Sequence, residues 1–413
     1  MDFLYDLVNL EFIIIITFVA VSAYLRLQPL KVVLLFSHIV AIFLLNDVLF
    51  NAGYFGDQWA YLSAARSIRD SLTTLSFQEI TGFTLESIHL HDSKVTGVLN
   101  THGLSGLFFA LVPVPFIKSI HSVSMINFML FMFLFVFIKK NLINNNTVDY
   151  FLLLFPSLLL YSSLALREIL ILVIMFFTVY FIVIKEQKVL GLIFGLPLLV
   201  LKFQNYFMII LTVLLYIIIK HRSIKINIVF FLAILIGIFI PEKIPVIGSY
   251  YNEIERYRLA LLAENMVKVT GKFYDWQAAR AMYEPLGTGI SLVFLVAKNF
   301  LYMLFKPLPW ECRNPFQVMQ TVENIIVVIM IIILNRKRLM NQVVRQKVLF
   351  LNIMLFISMA INGLVVFNFG TAARYKFTFI VIYFLFYYSL LHYDKLLYIK
   401  NSQNKRFSSA HKI

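Results

Sequence analysis

Long apolar segments restrict the folds open to this chain more than any other feature of its sequence. The segments run to roughly 17–25 residues, the length that an α-helix needs to cross the hydrocarbon core of a bilayer. Eleven are present, near residues 8–25, 31–50, 120–138, 148–166, 168–184, 187–201, 204–219, 226–243, 318–335, 348–367 and 373–392. Backbone polar groups inside a bilayer need partners within the protein, so these segments are expected to be helical. The sequence therefore predicts an all-α polytopic membrane protein, a single integral membrane domain over residues 1–413.

The amino-acid composition excludes the main alternative classes of protein. Hydrophobic residues make up 61% of the 413 residues and charged residues 14%, whereas soluble domains average about 45–50% and about 25%. A soluble domain, a disordered chain and a collagen-like chain do not fit these values. Cys312 is the single cysteine, which excludes a disulfide framework and any multi-cysteine metal or redox site. The 42 Phe residues predict helices that face lipid.

Lysine and arginine in the short loops predict the orientation of the chain. Cytoplasmic loops are enriched in these residues, and the basic loops share one side if the N-terminus is external and the C-terminus cytoplasmic. The loops contain Arg26, Lys31, Lys139, Lys140, Lys185, Lys188, Lys220, Arg222, Lys225, Arg336, Lys337, Arg338, Arg345 and Lys347. Eleven spans satisfy this parity. The formal net charge of +15 is then an orientation signal, and nucleic acid is not an expected partner.

Two long external regions lie between these spans, at residues 51–118 and 244–317. Each contains a further apolar stretch, at 103–117 and 288–305, which we interpret as an interfacial or re-entrant helix. The alternative is that both stretches cross the membrane, which gives thirteen spans. That alternative places two basic loops on the external side, against the rule that positive loops are cytoplasmic.

Basic residues at short external turns are the first functional candidates, because they oppose the orientation signal. They are Arg167, beside Glu168, then Lys202, and Arg374 with Lys376 in the last turn. Ionisable residues at membrane depth are rare and usually functional. The structural alternative is a side chain that anchors a helix end by extending its charge to water.

The first external region contains a candidate acid–base group. Its residues 57–70 have apolar positions at helical spacing, which predicts an amphipathic helix on the membrane surface. The predicted apolar face comprises Tyr61, Ala64, Ala65 and Ile68. Asp57 stands at the start of this helix, where its structural alternative is an N-cap. His102 follows later with His89, His91 and Asp92 in a loose group that suits a metal or a phosphate, although the spacing matches no fixed site.

The second external region combines aromatic residues with basic ones. Aromatic rings suit the apolar faces of sugars, and Arg or Lys suits phosphate oxygens. The structural alternative is an amphipathic lid with an aromatic belt. Acidic residues balance the charge, so this region is not a nucleic-acid surface. The candidates here are Arg256, Arg258, Lys306, Trp310 and Arg313.

The order of these features resembles the GT-C superfamily of membrane glycosyltransferases, which use polyprenyl-linked sugar donors. Asp57, Tyr61 and Ala64 are similar to a D-x-x-x-Y-x-x-A opening of the first external loop. Segment 103–117 resembles the surface helix of the family, and "SLLLYSSLALRE" (157–168) resembles its second hairpin. The family often has Asp or a DxD-type pair in that hairpin. This chain has Arg-Glu instead, which argues against a conventional metal-bridged donor site.

Two late motifs narrow the resemblance. "KPLPWE" (306–311) and "NFGTAARYK" (368–376) are similar to elements of Wzy-type O-antigen and capsular polysaccharide polymerases. The resemblance, over residues 45–380, implies a GT-C-like enzyme of the bacterial inner (cytoplasmic) membrane. Such an enzyme transfers a glycan from one undecaprenyl-pyrophosphate carrier to the sugar of another, and a chain-length regulator is a further expected partner. No cofactor is clearly indicated, and a divalent metal stays open without a ligand set.

The chemistry of this transfer implies roles for the candidate residues. Cations at the external surface would stabilise the pyrophosphate leaving group, and a carboxylate or histidine would take the proton of the acceptor hydroxyl. Asp57 is the first choice of base, Glu168 the second and His102 the third. The substrate-binding candidates are Arg167, Lys202, Arg256, Arg258, Lys306, Trp310, Arg313, Arg374, Lys376 and Tyr61.

Two other functions stay open at the level of sequence. One is a GT-C transferase that adds a single sugar from a polyprenyl-phosphate donor, with the same loop and base. The other is a lipid or glycan transporter or flippase, although transporters more often show repeat symmetry and charges at mid-bilayer. The unusual charges of this chain lie at external helix ends, which favours chemistry at the membrane surface.

Overall fold

In a computed structural model, the protein is built from α-helices. The structure describes residues 2–49, 56–74, 101–220, 245–270 and 275–410, and these ranges contain no β-strand. The helices are α1 (Asp2–Val19), α2 (Pro29–Phe43), α3 (Gly56–Thr74), α4 (Thr101–Leu111), α5 (Ile120–Phe137), α6 (Asn146–Leu154), α7 (Pro156–Ser163), α8 (Glu168–Val179), α9 (Lys188–Gly195), α10 (Leu198–Leu201), α11 (Phe203–Lys220), α12 (Pro245–Thr270), α13 (Trp276–Met282), α14 (Ile290–Phe305), α15 (Pro315–Arg336), α16 (Gln342–Val365) and α17 (Phe369–Ala410). Short π-helical turns follow four of them, at Ala20–Leu25, Leu44–Leu49, Ile138–Leu142 and Tyr180–Ile184.

Six of the described helices are long and apolar enough to cross a membrane. They are α2 and α5, each with its π-helical turn, α11, α15, α16, and α17 as far as Leu397. A seventh candidate is the bent pair formed by α7 and α8. These helices confirm the predicted class, an all-α multi-pass membrane protein. The number of eleven crossings and the orientation stay predictions.

Proline residues divide two of the predicted spans. The spans 148–166 and 187–201 each consist of two short helices, which meet at Pro156 and Pro197. Proline lacks the N–H that would continue the helical hydrogen bonds, and its ring crowds the preceding turn. The predicted span 168–184 coincides with the long arm of the bent pair.

Four other apolar segments differ in whether they are described and in the length of their helices. The predicted span 8–25 lies on α1 and its π-helical turn, and 226–243 lies outside the described residues. The stretches 103–117 and 288–305 correspond to α4 and α14, which are shorter than a membrane span. The predicted interfacial or re-entrant character of α4 and α14 stays a prediction.

The described residues form two compact units, 1–206 and 207–413. This division into units does not test the prediction of a single membrane domain, which stays a prediction. Aromatic residues occur in the interior of both units, and the prediction that phenylalanine-rich helices face lipid stays a prediction. Fully buried examples are Phe128, Phe131, Phe135 and Phe176 in the first unit and Phe377, Phe379 and Phe386 in the second. Neighbouring helices cover these rings, whereas Phe133 on the other face of α5 is exposed.

A buried ion cluster joins three helical segments of the first unit. The sequence predicts Lys31 and Lys139 in separate cytoplasmic loops, yet the Nζ atoms of both lie 2.6 Å from Asp149 Oδ2. Lys31 also donates to Asn146 Oδ1 at 2.6 Å. The side chains of Lys31 and Asp149 are only 3% and 2% exposed. Because burial removes their hydration, the two ammonium groups depend on this one carboxylate.

Removal of that carboxylate charge tests the cluster. We expect Asp149→Asn to lower the free energy of unfolding by about 3–5 kcal/mol, because two buried ammonium groups lose their counter-charge. The measurement is the thermal unfolding midpoint of the purified protein in detergent. The control is Glu253→Gln, which removes an exposed pair with Arg256 (3.6 Å) and should change stability by less than about 1 kcal/mol. Equal midpoints for the two variants would contradict the prediction.

Candidate functional site

Helices α3 and α4, from the region that the sequence predicts to be external, form a close pair in the first unit. The predicted apolar face of α3 is buried; it comprises Tyr61, Ala64, Ala65 and Ile68. Gly106 of α4 allows the close approach, since a Cβ there would lie 2.6 Å from the Ala64 Cβ. Small residues at such contacts let two helical backbones approach each other. The predicted helix is therefore confirmed, its apolar face is buried in the protein, and its place on the membrane surface stays a prediction. Ala64 of the D-x-x-x-Y-x-x-A pattern is a packing contact.

Asp57 lies in the first turn of α3, which begins one residue earlier at Gly56. A carboxylate in this position is stabilised by the partial positive charge at the N-terminus of the helix. A neighbouring carboxylate in sequence, Asp47, lies 2.8 Å from the Nε2 atom of His121. The two carboxylates are therefore in different surroundings, and Asp57 remains the candidate base.

His102, the second residue of α4, contacts the buried ring of Tyr61. The two ring centroids lie 5.0 Å apart, with an angle of 40° between the planes. Tyr61 also meets Phe109 edge-on, with centroids 6.3 Å apart. These contacts hold Tyr61 between two aromatic rings, and they place His102 at the start of α3, near Asp57.

The charges of Asp57 and Arg167 both act on His102. Burial of the imidazole lowers the pKa of His102 below its ordinary value of 6.5; the Asp57 carboxylate opposes this effect and the Arg167 guanidinium adds to it. Charges shift a pKa in this way over short distances. Three residues from distant parts of the sequence therefore share one location in the first unit.

Arg167 occupies the break in the bent helix pair. The axes of the pair make an angle of 118°, and Arg167 immediately precedes α8, which begins at Glu168. Within the described part of the chain, the Nε and Nη1 atoms of Arg167 are buried and have no hydrogen-bond partner. Unused guanidinium donors beside a helix N-terminus are suited to bind an anion such as phosphate. Glu168 is buried directly next to them.

Lys202 lies in the same part of the first unit. It follows α10, which contacts both α4 and α8, and its side chain is buried. Thr101, the residue before His102, donates from Oγ1 to the Val200 carbonyl at 3.2 Å. Helices α3, α4, α8 and α10 therefore bring together six of the predicted site residues: Asp57, Tyr61, His102, Arg167, Glu168 and Lys202.

Two predicted site residues of α12 lie in the second unit and differ in their surroundings. Arg258 is buried, and it donates from Nε to the Leu364 carbonyl at 2.8 Å and from Nη1 to Tyr283 Oη at 3.3 Å. Burial and a hydrogen bond to Glu255 raise the pKa of Tyr283. Protein groups thus bind Arg258, whereas Arg256 is exposed.

The proline-rich segment before α15 holds three more candidates. Lys306 Nζ lies 2.8 Å from Glu311 Oε1, so a carboxylate of the same segment pairs with it. Trp310 is 79% exposed, and Arg313 is exposed. Trp310 and Arg313 are therefore open to a ligand, and Lys306 is already paired.

The last two candidates lie in α17. Lys376 is buried, and its Nζ donates to Asn324 Oδ1 at 2.5 Å and to the Met303 carbonyl at 3.3 Å. The carboxylate of Glu323 also attracts this ammonium group. Arg374 is partly exposed, two residues before Lys376. Their predicted contact with substrate stays a prediction.

Sequence reasoning missed four buried polar residues of the first unit. They are Asn46, Asn127, Gln58 and Asn205, each with a side-chain oxygen that has no hydrogen-bond partner in the described residues. A single Asn in an apolar run was the available signal for the first two. His89, His91 and Asp92 lie outside the described residues, and the part that is described contains no group of three His, Cys, Asp or Glu able to hold a metal ion.

Titration of His102 tests the juxtaposition with Asp57 and Arg167. We expect Arg167→Gln to raise the pKa of His102, because it removes a like charge, and Asp57→Asn to lower it, because it removes an opposite charge. The measurement is an NMR pH titration of the histidine rings in detergent, with the His102 signal assigned by its loss in His102→Gln. Shifts of the same sign, or none, would show that the three groups are apart.

Substitution of Gly106 tests the contact between α3 and α4. A methyl group at this position meets Ala64 backbone and side-chain atoms, so we expect Gly106→Ala to lower the free energy of unfolding by about 1–3 kcal/mol. The matched control is Gly370→Ala, where the nearest atom lies 3.7 Å from the added Cβ. Thermal midpoints of both variants provide the comparison. An undisturbed Gly106→Ala protein would rule out the close approach.

Comparison with known proteins does not indicate a function for this chain. No protein-family model matches this chain, and no curated protein or solved structure matches it. The arguments for function therefore come from the residues and from their geometry.

Proposed function

We propose that this protein is a GT-C-like membrane glycosyltransferase that polymerises lipid-linked oligosaccharide repeat units. The observation that carries the proposal is the meeting of Asp57, His102 and Arg167, whose charges interact although they come from three distant segments. The GT-C resemblance gave motif positions to Asp57 and Arg167, and the chemistry of the transfer added His102 as a further candidate base. Their convergence supports that assignment.

The proposed reaction joins two glycans that are each attached to undecaprenyl pyrophosphate. The hydroxyl oxygen of the acceptor sugar forms a new bond to the anomeric carbon of the donor glycan. The bond from that carbon to the pyrophosphate oxygen breaks, and the carrier leaves with the electron pair. The hydroxyl proton passes to a base of the enzyme. The protein must therefore offer a base and a stabiliser of negative charge at the same place.

Arg167 suits the stabilising role because its buried Nε and Nη1 donors are not used by the described residues. A guanidinium in a site of low dielectric acts on a developing phosphate charge more strongly than it does in water. Asp57 is the proposed base, with Glu168 as the alternative. Burial lowers the pKa of His102, which favours the neutral ring, the form that can accept a proton.

The topology belongs to the proposal as well. Eleven spans with an external N-terminus and a cytoplasmic C-terminus would place α3 and α4 at the external face of the bacterial cytoplasmic membrane. The basic loops favour this orientation. Lipid-linked repeat units would reach a site there from the bilayer, and a chain-length regulator is the proposed protein partner.

The second unit has its own proposed contacts for glycan or phosphate. Trp310 suits a sugar ring because its indole is exposed. Arg256 and Arg313 are exposed as well, and Arg374 is partly exposed. Arg258, Lys306 and Lys376 are less favoured for direct contact, since protein groups already bind their charges.

Two single substitutions test the proposed site. We expect Asp57→Asn and Arg167→Gln each to lower the amount of long polymer by about 10²-fold or more, because each removes one half of the chemistry. The measurement is gel analysis of surface glycan in cells that carry the variant gene. The control is Arg66→Gln, an exposed residue of the same α3 helix, and immunoblots of the membranes verify equal insertion.

The material that accumulates separates the proposal from its alternatives. Loss of a polymerase leaves one complete repeat unit on its carrier at the external face. Truncated or undecorated repeat units would instead indicate a single-sugar transferase, and complete units trapped at the cytoplasmic face would indicate a transporter. Wild-type chain lengths in both variants would overturn the site assignment.

A further inference from the structure

The chain between α7 and α8 is non-helical backbone inside the first unit. Residues 164–167 separate the two helices, and Leu164, Ala165 and Leu166 are fully buried. A break in a helix leaves carbonyl groups without their usual N–H donors, and burial keeps water away from them. The Leu166 N–H donates to the Leu164 carbonyl at 2.8 Å, and side chains from other helices supply the further donors, as for any irregular segment at membrane depth.

Asn127 of α5 supplies two of these hydrogen bonds. Its Nδ2 donates to the Leu164 carbonyl at 2.7 Å and to the Leu166 carbonyl at 2.5 Å. One amide group thus binds the backbone on both sides of Ala165. The Oδ1 atom of Asn127 is buried and has no partner among the described residues. The arrangement therefore uses the donors of this side chain and leaves its acceptor unused.

Asn46 binds the same break from another helix. It lies in the π-helical turn that follows α2, and its Nδ2 donates to the Ser163 carbonyl at 3.0 Å. The same nitrogen lies 3.2 Å from Ser124 Oγ and 2.7 Å from the Ile42 carbonyl. The Ser163 Oγ in turn donates a hydrogen bond to the His38 carbonyl at 3.1 Å. Helices α2 and α5 therefore both fasten the end of α7.

The break lies next to Arg167, so the hydrogen bonds of Asn46 and Asn127 bear on the position of that side chain. Arg167 follows directly after Leu166, whose carbonyl Asn127 binds. The direction of the Arg167 side chain depends on the path of residues 163–166. We propose that Asn46 and Asn127 are positioning residues, which hold this path so that Arg167 faces Asp57 and His102; the consequence for catalysis rests on the function proposed above.

A third buried asparagine shows what a purely structural role looks like. Asn9 donates from Nδ2 to the Phe116 carbonyl at 2.8 Å, and its Oδ1 accepts from the Phe116 N–H at 3.0 Å. Both ends of this amide are used, and its partner is remote in sequence from Arg167. Asn9 therefore serves as the matched control: it is buried in the same unit and makes comparable hydrogen bonds.

The experiment measures the exposure of the break directly. The background is Leu166→Cys with Cys312→Ser, so that position 166 carries the only thiol. Three variants are made in this background: Asn127→Leu, Asn46→Leu and Asn9→Leu. For each variant we measure the rate of maleimide labelling in membranes, the thermal unfolding midpoint and the polymer length. We expect the first two variants to label roughly tenfold faster, because a buried carbonyl loses its donor, and Asn9→Leu to label at the background rate.

The outcomes distinguish the inference from the proposed function. Faster labelling and shorter polymer in the variants of Asn46 and Asn127, with Asn9→Leu unchanged in labelling, support both. Labelling that does not exceed that of Asn9→Leu overturns the inference, whatever the polymer shows. Faster labelling with wild-type polymer supports the positioning of the break and overturns the proposed role of Arg167. If Asn127→Leu fails to accumulate in membranes, Asn46→Leu decides by the same criteria.

Discussion

The hydrogen-bonding needs of a broken helix are the constraint on which the first unit depends. An unbroken helix satisfies its own backbone, whereas a bend of 118° between α7 and α8 leaves buried carbonyls that other helices must serve. Asn127 and Asn46 meet that need from α5 and from the turn after α2. The bend in turn places Arg167 where its charge acts on His102 of α4. The helix packing of this unit, the hydrogen bonds of its buried backbone and its candidate site therefore depend on one another.

Buried charges divide into those that the protein neutralises and those that it leaves available. Asp149 pairs with Lys31 and Lys139, and Lys376 is bound by Asn324. Such pairing compensates for the hydration that burial removes. Arg167 differs, because two of its buried nitrogen atoms have no hydrogen-bond partner in the described residues. This difference in hydrogen bonding is the physical reason to propose an anionic ligand beside Arg167.

Features that depend on near neighbours in sequence were predictable. Apolar periodicity gave helices with the correct faces, as α3 shows, and run length located six of the candidate spans. The sequence analysis did not anticipate where a single residue changes the path of the chain: Pro156 and Pro197 divide predicted spans. Nor did it anticipate the burial of Lys31, because burial of a charge depends on Asp149, more than a hundred positions away. The donors of Asn46 and Asn127 were missed for the same reason, since their acceptors lie on other helices.

The sequence by itself determined the class of protein and the residue types available for chemistry. Hydropathy is a property of each segment, so the membrane helices, the basic loops and the candidates Asp57, His102 and Arg167 could be read from the chain alone. Only the tertiary structure decided which candidates meet. Their meeting depends on the close approach of α3 and α4 at Gly106 and Ala64 and on the bend after α7. Both are contacts between distant segments, which the period of a single helix does not encode.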